Sequence, residues 1–147
     1  ILSNMKVLLL LSLLATLTLA FHNLEHKTGK DVLDQLEEGN ANVYVIMFYA
    51  PGHQGGNHNV KTIEDEKELT GRVLQKYPSF FYTKVNVADP NYADLVKATG
   101  IVTTELHEAP SVLIIEGGVG VWIHGPQTIN KIEEFAQEYL KRSRTSQ

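Results

Sequence analysis

One run of seven residues constrains the fold more than any other feature of this sequence. Positions 43–49 read VYVIMFY, which is almost continuously apolar and rich in β-branched and aromatic side chains. Runs of this kind are typical of strands in a sheet that is covered by helices on both faces. Hydrophobic residues make up 43% and charged residues 20% of the 147 residues, a composition typical of one globular domain. We therefore expect a layered α/β protein built around this strand.

Helical and strand patterns alternate along the rest of the chain. Apolar spacing predicts helices over residues 29–38, 62–77 and 126–142, and a short helix that begins at Asp89 or Asn91 and ends near Gly100. Apolar runs predict further strands over residues 80–87, 110–116 and 119–124, with Gly117-Gly118 as the last turn. Thr62 and Asp65 resemble a capping box, and Asn57 is an alternative, earlier N-cap. The order predicts two parallel-type crossovers and a hairpin, in a three-layer α/β/α sandwich with a central mixed sheet.

The N-terminal segment has the pattern of a targeting signal. Residues 7–21 carry no charge, follow Met5-Lys6, and end with the small residues Thr18 and Ala20 before Phe21, which is the layout of a secretory signal peptide. As a helix this run would span ~22 Å, less than the ~30 Å hydrocarbon core of a membrane. A thinner membrane would still allow an uncleaved anchor.

We therefore predict four segments. These are a signal peptide or N-terminal membrane anchor over residues 1–21, a linker over 22–28, the folded domain over 29–142 and a C-terminal tail over 143–147.

Charge and cysteine content exclude several classes of function. Seventeen acidic against thirteen basic residues give a net charge of −4, which argues against a nucleic-acid partner. The 147 residues contain no cysteine, so disulfides, thiolate catalysis and thiolate metal sites are excluded within them.

Two local motifs carry a resemblance to a known family. FYAP at 48–51 resembles the strand end that precedes the active site of protein disulfide isomerase domains, where the family continues Trp-Cys-Gly-His-Cys. APSVLII at 109–115 resembles the cis-proline strand of the same family, with Pro110 as the expected cis residue. Together with the element order, these motifs make residues 25–142 similar to a thioredoxin-like domain that lacks the active-site cysteines. The resemblance implies the thioredoxin fold.

The departures from the family pattern all remove redox chemistry. His53 and Gly56 stand where the resemblance places the two cysteines, Met47 stands where the family keeps a buried acid, and Lys61 replaces a helix-kinking proline. Thiol–disulfide exchange requires an attacking thiolate. We therefore predict a protein that is not an enzyme and has no cofactor.

The former active-site loop and the proline edge are the candidate binding site. The residues are Gly52, His53, Gln54, Gly55, Gly56, His107 and Pro110. A cis proline would leave backbone groups open for pairing with an extended peptide, and the long connection over residues 100–109 is the kind of loop that carries binding function. His53 and His107 with Glu105 or Glu108 would offer zinc ligands, but the spacing is a weak signal and solvated loop histidines are the alternative. We predict no metal.

The remaining singled-out residues fit structural roles. We expect Trp122 in the core, His124 in a structural position and the acidic stretch 64–68 on a solvated helix face. The main functional hypothesis is a redox-inactive, thioredoxin-like module that binds a protein or extended peptide in the secretory pathway, in the endoplasmic reticulum lumen or after secretion. The alternative is an accessory structural subunit of a membrane-bound complex in an organelle, anchored through residues 7–21. A non-redox enzyme using His53 is a third hypothesis.

Overall fold

The computed structural model describes residues 21–37, 41–52, 58–125 and 127–145. The strands are β1 His22–Asn23, β2 Val43–Tyr49, β3 Phe81–Asn86, β4 Ser111–Glu116 and β5 Val119–Ile123. The helices are α1 Gly29–Glu37, α2 His58–Glu68, α3 Ala93–Thr99 and α4 Thr128–Thr145. A π-helical turn over Leu69–Val73 follows α2 and continues into a 3₁₀ turn over Leu74–Lys76. Two more 3₁₀ turns, Pro90–Tyr92 and Thr103–His107, lie on either side of α3.

The strands form one mixed sheet in the order β1-β3-β2-β4-β5. β3 pairs in parallel with both β1 and β2, whereas β4 pairs antiparallel with β2 and with β5. The mixed sheet between helices is the predicted architecture. The second crossover, however, is not of the parallel type. The seven-residue α3 and the turn over Thr103–His107 do not return the chain to the opposite end of the sheet, so β4 starts at the end where β3 stops.

Side chains of β2 alternate between two cores, as its continuous apolar run predicts. Val45 and Met47 face the cluster that contains residues of α4 and of the π-helical turn, and Ile46 and Phe48 face the cluster that contains residues of α1 and α3. All four side chains are fully buried. The position of β2 at the centre of both cores explains why its apolar run predicted its bounds so well.

The N-terminal edge differs from the prediction. Residues 22–28 were expected to form a linker, but His22 and Asn23 pair with Phe81 and Tyr82 of β3, and Leu24 is buried in the core. The Phe21 ring also meets the Tyr82 ring edge-on, with centroids 5.7 Å apart. A polar two-residue strand has no hydrophobic alternation, so sequence patterning could not reveal it.

The second helix begins earlier than Thr62. α2 starts at His58, so Thr62 and Asp65 lie inside the helix and do not form a capping box at its start. Asn57, the alternative N-cap, lies outside the described residues. The third helix ends as predicted, because Gly100 adopts a left-handed conformation with φ +67° that glycine accommodates best. Within the described residues, no helix is both long enough and apolar enough to cross a bilayer. The segment 1–20 lies outside them.

Candidate functional site

The β2–β4 ladder brings the two halves of the predicted site to one end of the sheet. Phe48 lies opposite Ser111, so the chain leaving β2 towards Gly52 runs beside the chain that enters β4 from Pro110. Gly52 is half-buried and Pro110 is buried, whereas His107 is exposed at the end of its 3₁₀ turn. The other predicted site residues, His53, Gln54, Gly55 and Gly56, lie outside the described residues.

The predicted cis bond at Pro110 is wrong. No cis peptide bond occurs in the described part of the chain, so Ala109 and Pro110 are joined by a trans bond. An X–Pro bond favours trans by about 0.5–1 kcal/mol unless its surroundings hold the cis form. Here β4 pairing begins only at Ser111, one residue after the proline that has no N–H to contribute. The proline therefore gives no support to peptide pairing through a cis bond.

The position where the resemblance placed a buried acid is apolar. Met47 is fully buried and lies between Lys84 of β3 and Val112 of β4 in the ladder. Its side chain belongs to a cluster of aliphatic and aromatic residues that includes Leu69 and Val73. A thioether cannot accept and deliver a proton as a carboxylate does. This side chain therefore supplies no proton-transfer group.

A side-chain contact between Ser111 and His124 joins the start of β4 to the end of β5. The Ser111 hydroxyl oxygen is 2.7 Å from His124 Nδ1, and this hydrogen bond gives His124 the structural role predicted for it. Ser111 is itself buried, so its hydroxyl is not presented to a substrate. The pair therefore holds β4 to the end of β5 rather than forming an exposed nucleophile and base.

The prediction that Trp122 belongs to the core is only partly right. One side of its indole packs on Phe48, with ring centroids 5.3 Å apart, but the residue is 38% exposed. β5 is the last strand of the described sheet, so no further strand covers the ring. Sequence reasoning could not distinguish an edge strand from a central one here.

Exposed apolar side chains lie on two segments that lead to or from the predicted site, and sequence reasoning missed them. Val60 and Ile63 lie three residues apart near the start of α2 and are 54% and 63% exposed. Val102, in the connection that leads to Pro110, is 54% exposed. A valine and an isoleucine at helical spacing form an apolar pair within the polar sequence of α2, but this pattern does not show whether the pair is packed or exposed. These three residues, with Gly52 and His107, are called the apolar rim below.

The acidic stretch 64–68 is less solvated than predicted. The Asp65 side chain is buried and accepts a 2.8 Å hydrogen bond from Lys61 Nζ, while its second oxygen, Oδ2, has no hydrogen-bond partner among the described residues. Glu66 accepts hydrogen bonds from Lys84 Nζ at 2.8 Å and from the Tyr82 hydroxyl at 3.1 Å. Burial, with the nearby Glu66 charge, raises the pKa of Tyr82 far above its usual range. The inner side of this stretch therefore attaches α2 to β3.

The described residues contain no group of three or more His, Asp or Glu side chains arranged to hold a metal ion. His107, Glu105 and Glu108 lie on or next to one exposed 3₁₀ turn, and His53 lies outside the described ranges.

This geometry defines a protein with a thioredoxin-like fold and no thiol at the end of β2. Solved structures with the same fold include thioredoxin from Schistosoma mansoni, at TM-score 0.55 and 20% identity over 80% of this chain and 98% of that one. Thioredoxin O2 from Arabidopsis thaliana matches at TM-score 0.56 and 16% identity, over 82% of this chain and 96% of that one.

The J-Trx1 fragment of ERdj5 matches at TM-score 0.54 and 19% identity, over 81% of this chain and 49% of that one. At these identities the similarity shows the fold. No protein-family model and no curated protein matches the chain.

Proposed function

We propose that this chain is a redox-inactive binding module that holds extended, apolar protein segments at the apolar rim. The single observation that carries the proposal is the exposure of Val60 and Ile63 near the start of α2 and of Val102 in the connection that leads to Pro110. Groups of exposed apolar side chains are typical of surfaces that bind protein. The absence of cysteine from the 147 residues leaves binding, not thiol exchange, as the use of this end of the sheet.

A secretory location is the second part of this proposal. The support is the uncharged segment 7–21 with small residues before Phe21, together with the packing of Phe21 on Tyr82. Cleavage after Ala20 would leave the whole of β1 in the mature protein. The test is expression in cells with a secretory pathway, followed by N-terminal sequencing. Phe21 as the first residue supports the proposal, whereas retention of residues 7–19 favours the anchored accessory subunit.

The binding proposal is tested by mapping the surface that meets an unfolded protein. Reduced, carboxymethylated α-lactalbumin serves as a permanently unfolded probe without free thiols, and the ¹⁵N-labelled chain reports contacts through amide chemical shifts. We expect the amides of Gly52, Val60, Ile63, Val102 and His107 to shift and those of α4 to stay unchanged. Unchanged amides at the apolar rim would contradict the proposal. A parallel assay of insulin disulfide reduction is expected to show no turnover.

A further inference from the structure

β5 is an exposed sheet edge without the usual protection against pairing. It is the last strand in the described order, and its sequence VGVWI contains no charged residue and no proline. Val119 is 67% exposed, and Trp122 is also exposed. The strand at the opposite edge, β1, is protected because it has only two residues and both are polar. Edge strands that lack charges, prolines and bulges readily add another strand.

The backbone of β5 presents a defined set of unpaired groups. Gly117 and Gly118 have φ values of +57° and +78°, which makes the β4–β5 connection a two-residue turn of type I′. In such a hairpin the residues flanking the turn, Glu116 and Val119, form a hydrogen-bonded pair, and bonded and non-bonded pairs alternate from there. The N–H and C=O groups of Gly120 and Trp122 therefore point away from β4, towards the open edge.

A second copy of the same strand satisfies these groups in one antiparallel register. When two β5 strands pair about a twofold axis at Val121, Gly120 of one copy lies opposite Trp122 of the other. Each N–H and C=O that points outwards then meets a partner, so four hydrogen bonds form across the axis. Val119 lies opposite Ile123 of the second copy, which covers its exposed side chain.

The side chains fit the same register. A Cβ at Gly120 would come within 2.9 Å of Leu113 Cδ1 and 3.0 Å of the Ile114 carbonyl oxygen, so the chain accommodates only glycine there without rearrangement. This leaves bare backbone on the face that Gly120 shares with Trp122, beside an open cavity also lined by Leu33 and Leu36. The indole of the second copy would cover this backbone, a cross-strand arrangement in which an aromatic ring compensates for a glycine.

Charge does not oppose pairing between identical copies. β5 itself carries no charged residue, and the nearest one, Glu116, lies before the turn. In the antiparallel register the two Glu116 side chains lie at opposite ends of the paired strands, so no like charges meet along them. From these observations we infer that the chain forms a twofold dimer through antiparallel pairing of β5 about Val121.

The register is tested by single cysteines, because the native chain has none. At the twofold axis, Val121 and its counterpart form a non-hydrogen-bonded pair with Cα atoms about 4.5 Å apart, which is within disulfide range. Under mild oxidation of the full chain we expect Val121→Cys to form most of its product as a covalent dimer. Val119→Cys, although more exposed, should remain largely monomeric. Equal cross-linking of both variants would overturn the inferred register.

Association without cross-linking is measured by sedimentation velocity of the full chain from about 1 to 300 µM, the range expected for a small interface. We expect a concentration-dependent dimer. Val119→Asp should weaken it by about tenfold or more, because the carboxylate would be buried against Ile123 of the second copy. Ala93→Asp, a charge at an exposed apolar residue outside β5 and outside the apolar rim, should leave association unchanged. A monomer at every concentration, or equal weakening by both variants, would overturn the inference.

Discussion

Met47 lies opposite Val112 across the β2–β4 ladder, and both side chains are completely buried. This pairing places an apolar contact at the position where, by the resemblance, disulfide isomerase domains keep a buried acid. We expect Met47→Glu to reduce the free energy of unfolding by about 3–5 kcal/mol at neutral pH, because the site offers a charge no partner. Met47→Gln is the uncharged control of the same shape.

Denaturant titrations at neutral pH and at pH 5 distinguish the two variants by their free energies of unfolding. A buried glutamate has a raised pKa, so lowering the pH to 5 neutralises it and should restore part of the stability of Met47→Glu. Met47→Gln should show no such recovery relative to the unsubstituted protein. If Met47→Glu were as stable as the unsubstituted protein at neutral pH, the buried surroundings of position 47 would have to be polar, which would contradict this account.

Two glycines make a matched test of backbone packing. A Cβ at Gly29 would meet Leu95 Cβ at 2.9 Å and Tyr92 Cα at 3.2 Å, whereas a Cβ at Gly71 has nothing within 4 Å. Gly29→Ala should therefore cost about 1–3 kcal/mol through overpacking between α1 and α3. Gly71→Ala should be neutral or stabilise by up to about 1 kcal/mol, because alanine restricts the unfolded chain. Chemical denaturation measures both, and a neutral Gly29→Ala would contradict the packing of α1 on α3.

Two buried threonines differ in their hydrogen bonding. In the described part of the chain Thr62 Oγ1 has no hydrogen-bond partner, whereas Thr128 Oγ1 donates to the Gly125 carbonyl oxygen at 2.5 Å. Replacement by valine keeps the shape and removes the hydroxyl. We expect Thr62→Val to raise the free energy of unfolding by about 1 kcal/mol and Thr128→Val to lower it by about 1–2 kcal/mol. Changes of the same sign in the free energy of unfolding of both variants, measured by thermal and chemical unfolding, would contradict these assignments.

His26 links the segment before α1 to β3. Its Nδ1 is 3.0 Å from the Tyr92 hydroxyl, and its Nε2 is 2.5 Å from Thr83 Oγ1. Burial lowers the pKa of His26 below its usual value of 6.5, although Asp31 and Glu25 act in the opposite direction. The unfolded chain therefore binds a proton more readily than the folded one, and stability falls as pH decreases from about 6.5 through the lowered pKa.

The difference in melting temperature between pH 7.5 and pH 5 measures this effect. We expect it to be smaller in His26→Gln than in the unsubstituted protein, because the glutamine does not titrate. His107→Gln, at an exposed position, is the control and should keep the original difference. An unchanged pH dependence in His26→Gln would show that other groups cause the loss of stability.

Sequence patterns predicted the parts of the fold that are determined by a short local segment. The apolar run gave the bounds of β2, and the paired glycines gave the β4–β5 turn. The patterns failed where the outcome depends on neighbours distant in sequence. Whether Trp122 is covered depends on the strand order, and the trans bond before Pro110 depends on how the chain enters β4.

The sequence predicted which two segments are neighbours at the candidate site, but not which side chains near them are exposed. The resemblance placed the end of β2 beside Pro110, and the Phe48–Ser111 pair shows that these segments are neighbours. The exposure of Ile63 and Val102 was not predicted, because a helix or loop pattern alone does not show which side chains the rest of the fold leaves uncovered.

The central claim, that the apolar rim binds extended apolar segments, is tested most directly by two substitutions on α2. Ile63 and Lys67 are both exposed on this helix, and Ile63→Ser removes an apolar side chain whereas Lys67→Ser removes a charged one. Affinity for reduced, carboxymethylated α-lactalbumin is measured by fluorescence anisotropy, with melting temperatures to confirm folding. We expect Ile63→Ser to weaken binding by about tenfold and Lys67→Ser to change it by less than about twofold. Equal affinities for the two folded variants, or no binding by the unsubstituted chain, would contradict the account.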